Sequence, residues 1–163
     1  MSTYHKPIAP KPRKELPIKQ IANNRKARFH YSIEEEIEAG IMLVGSEVKS
    51  LRDGGVNISD GYVTEQNGVL TLLNVHIAEY KGANKFNHVP LRPRQLLLHK
   101  KQIEKMLGKV RSKGLSVVPL SMYFNSRNIV KMNIGICKGK KLYDKRASLK
   151  ERDDKRRSQR GED

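Results

Sequence analysis

Arg25-Lys26-Ala27-Arg28 lies directly ahead of Phe29 and Tyr31, and Lys138-Gly139-Lys140-Lys141 directly follows an apolar-patterned stretch that ends in Cys137. Cations beside aromatic rings suit phosphate contact and base stacking, and the first run is expected at the start of a strand. The second follows a predicted strand, so its lysines are carried at the rim of a fold, and Gly139 lets the backbone approach a phosphate closely. Between the two runs stands a cluster of carboxylates, Glu34 to Glu38. It could bind Mg²⁺, but Glu34, Glu36 and Glu38 alternate in the manner of a solvated strand face. One of these carboxylates could still meet an RNA group.

The residues of hydrolytic chemistry are present without its spacing. His5, His30, His76, His88 and His99 are scattered, and no GxSxG, HExxH or GxxxxGK[ST] string occurs. No enzymatic activity and no cofactor are expected. A metal-independent ribonuclease assembling His and Lys from distant strands is the enzymatic alternative, and incubation with labelled RNA separates it. Cys137 is the single cysteine, which excludes an internal disulfide, and with no CxxC or close His pair a structural metal is not expected. Cys137 reads as a half-buried strand residue.

These groups are positioned by short strands. In GVLTLLNVHIAEY, Val69, Thr71, Leu73, Val75 and Ile77 share one face and Leu70, Leu72, Asn74 and His76 the other. Asn67-Gly68 accepts the positive φ angles of a tight turn, so strands near 59–65 and 69–78 are expected to pair. LSVVPLSMYF, the turn NSRN and IVKMNIGIC read as a second hairpin, with Pro119 at an edge or bulge. FHYSIEEEIEAGIMLVG fits a helix or a long strand; Gly40 and the pattern that follows favour the strand. Ser46 is expected to cap a short helix through EVKSLRD, and Ile103, Met106, Leu107 and Val110 make the stripe of a helix ended by Gly114. The fold expected is mainly β with flanking helices, a small closed antiparallel barrel of OB type.

The charge is uneven. Of a net +16, residues 1–19 carry +4, residues 20–137 carry +7 and residues 138–163 carry +5. Such an excess marks a polyanion binder, nucleic acid before membrane. No run approaches the roughly 20 apolar residues of a membrane span, and the N-terminus lacks the apolar core of a signal peptide, so a cytoplasmic protein is expected. Three parts are expected: a flexible Pro-rich basic arm over 1–19, the barrel over 20–137 and a basic tail over 138–163. The tail has almost nothing to bury, yet from Lys140 to Arg160 it holds no Gly or Pro, and it pairs Glu151 with Lys155 and Asp153 with Arg157 four residues apart. Such pairs stabilise by only about 0.2–0.5 kcal/mol each, so the tail is expected to be disordered when free and helical beside a polyanion.

NRKARFHYSIEEEIEAGIMLVGSEVKSLRDG from Asn24, NISDGYV from Asn57, RQLLLHKKQIEKM from Arg94 and KGKKLYDKR from Lys138 resemble the successive signature blocks of the SsrA-binding protein (small protein B) family. The resemblance covers about residues 20–157 and leaves out the arm and the terminal QRGED. It implies an OB-type barrel that binds the tRNA-like domain of transfer-messenger RNA and delivers it to stalled ribosomes for trans-translation, nascent-chain tagging and rescue. Carried over by motif, Glu38, Leu97, His99, Lys131, Lys138, Gly139, Lys140 and Lys141 form the RNA face, beside Arg25, Lys26 and Arg28. His99 stands where some members have Asn. Tyr143, Asp144, Lys145 and Arg146, followed by Lys150, Arg152, Lys155 and Arg156, are implied to contact the ribosome at the small-subunit decoding centre and the empty mRNA channel. Elongation factor Tu is an implied partner through the RNA complex. A constitutive ribosomal protein fits the composition equally well, and co-sedimentation at high salt separates the two.

Overall fold

The computed structural model describes residues 16–161. The chain runs β1 (Lys19–Asn23), α1 (Arg25–His30), β2 (Tyr31–Ile41), α2 (Gly45–Arg52), β3 (Val56–Asn57), β4 (Tyr62–Gln66), β5 (Val69–Leu73), β6 (His76–Ile77), a 3₁₀ turn (Asn84–Phe86), β7 (Arg94–Leu97), α3 (Lys100–Lys113), β8 (Ser116–Phe124), β9 (Val130–Gly139) and α4 (Leu142–Arg160). It is a mixed α/β fold built on a seven-stranded antiparallel sheet in the order β1-β8-β4-β5-β7-β2-β9, with β3 and β6 paired apart. Most of the arm expected over 1–19 lies outside the described residues, and Lys19 already belongs to β1.

The sheet is unevenly joined. β2 and β9 pair from Tyr31↔Gly139 to Gly40↔Lys131, whereas β4 meets β8 only at Val63↔Val117. β8 also pairs with β9, from Ser116↔Cys137 to Phe124↔Val130. An evenly closed barrel, as expected from strand number and spacing, is therefore more than the strand pairing alone establishes.

Local chemistry explains most elements. Asn67 and Gly68 have φ of 52° and 77°, the left-handed pair that lets β4 turn tightly into β5. Pro119 sits in β8 beside a register shift between Pro119 and Ser121, so its missing N–H falls at a bulge rather than an edge. The Leu120 carbonyl freed there accepts the Asn24 N–H at 2.7 Å. β2 is the long strand that Gly40 favoured, with Glu34, Glu36 and Glu38 exposed. α3 buries Met106 completely and ends on Gly114 at φ 60°.

Three expectations need correction. The strand expected over 69–78 breaks at Asn74, whose φ is 58°: β5 ends at Leu73, and His76–Ile77 pairs with β3 instead. Arg25–Arg28 does not begin a strand: it forms α1, because the Asn24 side chain accepts the Ala27 N–H at 3.0 Å and donates to the Pro119 carbonyl at 2.9 Å, fixing a helical turn against the bulge. Ser46 does not cap α2. The Glu47 carboxylate accepts the Val44 N–H at 2.9 Å, and Ser46 Oγ instead bonds His88 Nδ1 at 2.9 Å.

Glu47 can reach back because arginines hold it. Arg94 Nε and Arg92 Nη2 each donate to it at 2.8 Å, and the Arg94 and Glu47 side chains are wholly buried. Burial pushes the Glu47 pKa up, but the bonds from Arg92, Val44 N–H and Arg94 outweigh it and leave the carboxyl below its ordinary value. Arg94 Nη1 also donates to Val75 O, so the network ties α2 and β7 to the segment after β5. Leu72, Ile77, Met122, Met132 and Ile134 belong to one core cluster and have no exposure, each contributing about 1.5–3 kcal/mol by burial.

Candidate nucleic-acid interface

At one end of β2 the strand register collects residues distant in sequence. Gly40 stands opposite Leu97 of β7 on one side and Lys131 of β9 on the other. A Cβ at Gly40 would lie 3.2 Å from Leu97 Cβ, so a small residue keeps the two strands close. The result is an open groove of about 660 Å³ whose lining includes Glu38, Gly40, Leu97, His99, Gln102 and Lys131. Leu97 is half-exposed, and His99 precedes α3 with its main-chain N–H donating to Gln102 Oε1 at 3.2 Å while its ring makes no capping bond. An apolar side chain, an imidazole, an ammonium and a carboxylate thus converge, a set that can stack on and hydrogen-bond to a nucleotide.

The carboxylate is held in place. Tyr123 donates its hydroxyl to Glu38 Oε2, and Lys131 Nζ lies 3.8 Å from Oε1. Tyr123 is buried at its ring, and burial together with the bond to Glu38 pushes its pKa up to about 12, so it remains a donor at neutral pH. Glu38 is still 54% exposed and keeps acceptor capacity toward solvent. Sequence reasoning missed Tyr123 and Gln102. The hairpin alone places Tyr123 opposite Lys131, but its meeting with Glu38 depends on β2–β9 register, which a bulge between Ile33 and Glu35 offsets.

The other predicted residues lie elsewhere. Lys138 pairs with Ser32 and Gly139 with Tyr31, seven and eight positions along β9 from Lys131, so roughly 23 Å separates this rim from the groove. Lys138, Gly139 and Lys141 are exposed. Lys140 is half-buried: its N–H donates to His30 O at 2.9 Å, and its Nζ donates to Arg28 O at 3.2 Å and Ser148 Oγ at 3.3 Å. It clasps α4 to α1. Arg152 places its guanidinium 5.3 Å from the Phe29 ring centroid, a second seat for the helix. Arg28 pairs with Glu36 at 3.2 Å, and Arg25, Arg28, Arg152, Lys155 and Arg156 line one pocket of about 410 Å³. Lys26 lines a separate cavity on the far side of α1.

α4 has no buried residue, and Leu142 and Tyr143 are 74% and 67% exposed. Asp144 accepts the Lys141 N–H at 3.3 Å, which starts the helix just after the lysine run. Arg146 and Lys150 are exposed, and Lys145 is half-exposed. Cys137 is fully buried rather than half-buried, and burial pushes its thiol up to about 11. Among the described residues no group of three or more His, Cys, Asp or Glu could hold a metal, and no helix is long and apolar enough to cross a membrane.

The chain as a whole is similar to known proteins. The family model described as SmpB protein matches residues 21–162, which extends the likeness through most of the terminal QRGED. The SsrA-binding protein of Wolbachia sp. subsp. Brugia malayi (strain TRS) is 61% identical over 133 residues, 82% of this chain and 89% of that protein. That of Rickettsia rickettsii is 56% identical over 138 residues, covering 85% and 91%. A solved chain from "tmRNA-SmpB: a journey to the center of the bacterial ribosome" superposes with a TM-score of 0.62 at 46% identity, over 74% of this chain and 85% of that one. With the match spanning nearly all the described residues and identities this high, the chain belongs to the SmpB family.

Proposed function

We propose that this chain is a non-enzymatic RNA-binding adaptor that grips the tRNA-like domain of transfer-messenger RNA and brings it to stalled ribosomes for trans-translation. The observation that carries the reading is the meeting of Glu38, Leu97, His99 and Lys131 in one groove, although they lie far apart along the chain. Relatives named SsrA-binding protein support the choice of RNA. The pairings β8-β4-β5-β7-β2-β9 and back to β8 form a ring, which supports an OB-type barrel as the platform.

On this reading the groove takes the RNA, and Lys138 and Lys141 add phosphate contacts at the far rim. Gly139 keeps that rim open, and Lys140 acts chiefly as the clasp of α4. The tail contacts the ribosome at the decoding centre: exposed Tyr143 stacks on a base, Asp144, Lys145 and Arg146 follow it, and Lys150, Arg152, Lys155 and Arg156 line a helix that fits a polyanionic mRNA channel only when it is empty. Free of RNA the helix is unstable, since it has no buried residue and its Glu151–Lys155 bond, at 2.7 Å, is a solvent-exposed pair that stabilises little. The work is cytoplasmic, and elongation factor Tu joins through the RNA.

The test separates the parts. A chain cut after Lys141 keeps the groove and is expected to shift a transcript of the tRNA-like domain in a mobility assay, yet to leave nascent chains on stalled ribosomes untagged. Full tagging by the cut chain would remove the tail from the mechanism, and no shift by the intact chain would remove the RNA reading.

A further inference from the structure

α1 and α4 come from opposite ends of the chain, and where they meet like charges gather. Arg25 and Arg28 from α1 and Arg152, Lys155 and Arg156 from α4 surround Asn23 in one pocket. Two of the five cations are compensated, Arg28 by Glu36 at 3.2 Å and Lys155 by Glu151 at 2.7 Å. Among the described residues Arg25, Arg152 and Arg156 make no ion pair. What seats α4 here is small: the Lys140 bonds to Arg28 O and Ser148 Oγ and the stacking of Arg152 on Phe29. Uncompensated cations brought together repel, and exposed contacts of this kind offset little of the cost of ordering a helix that has no buried side chain. A multivalent anion in the pocket reverses the sign of that balance.

We propose that the α1–α4 pocket is a phosphodiester site shared by body and tail, and that an RNA phosphate seated among Arg25, Arg152 and Arg156 holds the tail helix against the body. Arginine suits this task because its planar fork donates two parallel bonds to phosphate oxygens. The pocket is distinct from the groove, which lies at the other end of β2. Its consequence is coupling: RNA binding by the body sets the direction in which α4 leaves the barrel. The proposal rests on the reading of the chain as an RNA-binding adaptor. The phosphate could belong to transfer-messenger RNA or to ribosomal RNA, and the same measurement separates these sources.

Nitroxide labels on Arg127→Cys and Gln159→Cys place one probe on the exposed β8–β9 turn and one near the end of α4, while buried Cys137 stays unlabelled. Double electron–electron resonance on the full-length chain then reads the docking of α4. In chloride buffer a broad distance distribution is expected. Addition of the tRNA-like-domain transcript, or of isolated small ribosomal subunits, is expected to give one narrow distance, and the arm that does so names the source. Arg25→Ala with Arg156→Ala is expected to lose the narrow distance, and Arg25→Lys with Arg156→Lys to recover part of it. A narrow distance already present in chloride, one that survives the double alanine substitution, or a broad distribution when both RNAs are bound would each overturn the proposal. RNA binding is followed in parallel by mobility shift. Bound RNA with an undocked helix defeats the shared site alone, and absence of binding to either RNA defeats the adaptor reading.

Discussion

Arginine and glutamate serve opposite ends at two places in this molecule. Beneath α2, Arg92 and Arg94 converge on Glu47 with Arg94 and Glu47 wholly buried, and Arg94 also bonds the Val75 and Pro90 carbonyls. Between α1 and α4, five exposed or half-exposed cations share a pocket with only two carboxylates paired to them. In the first place both arginines bond one buried carboxylate and Arg94 spends its remaining donors on backbone carbonyls, so the arginines build shape. In the second the answer is left to a polyanion, so the arginines are available to a partner. Position decides the role, and residue type alone does not.

The comparison breaks most visibly at Glu47. Glu47→Gln leaves Arg94 buried without its counter-ion and is expected to cost about 3–5 kcal/mol in a urea or thermal unfolding experiment. The pH dependence has a definite sign. Because the folded pKa of Glu47 is held below its ordinary value, its contribution is fully present above the ordinary carboxylate range and is lost as pH falls through the depressed folded value. Unfolding free energy of the native chain should therefore fall more steeply below about pH 4 than that of Glu47→Gln. Parallel curves would mean that Glu47 titrates alike in the folded and unfolded chains.

At the rim the same kind of change should leave the fold intact. Lys138→Ala with Lys141→Ala is expected to lower the log–log salt slope of RNA binding by about 1.4–1.8, two phosphate contacts' worth, with unfolding unchanged to within about 0.5 kcal/mol. Lys140→Ala should change the slope less and release α4, because its ammonium is engaged by Arg28 O and Ser148 Oγ. Equal slopes for all three lysines would show that Lys140 also faces RNA.

How far the sequence reveals this division depends on the range of the interactions. The hairpins were legible because Asn67-Gly68 and the turn before Ile129 are local signals, and α3 because its stripe and Gly114 lie within one element. α1 was not: Asn24 caps it locally by accepting the Ala27 N–H, but this six-residue helix is also held by the Asn24 bond to a carbonyl of β8, 95 residues away. The α2 cap failed for the same reason: Glu47 takes its position from arginines some 45 residues downstream. The groove residues were reached only through family resemblance. Periodicity puts Glu38 on an exposed face, but which residues of β7 and β9 flank it is set by register and by the bulge at Ile33/Glu35.

Tyr123 offers the finest test of the contrast, because it is a buried group serving an exposed one. Its hydroxyl donates to Glu38, so Tyr123→Phe removes one bond and no volume from the ring. Glu38 is half in solvent, and water can replace the lost donor, so the stability change should sit near the low end of about 0.5–1.5 kcal/mol. RNA affinity should respond differently. If Glu38 accepts hydrogen bonds from RNA, freeing it to rotate should weaken binding by roughly fivefold, about 1 kcal/mol, with the salt slope unchanged because no cation is lost. Glu38→Ala should also weaken binding, although removal of a negative charge by itself favours a polyanion. The two changes act through one carboxylate, so the double variant should be no weaker than Glu38→Ala alone. Additive losses would give Tyr123 a contact of its own with RNA, and tighter binding by Glu38→Ala would return Glu38 to a solvated strand face.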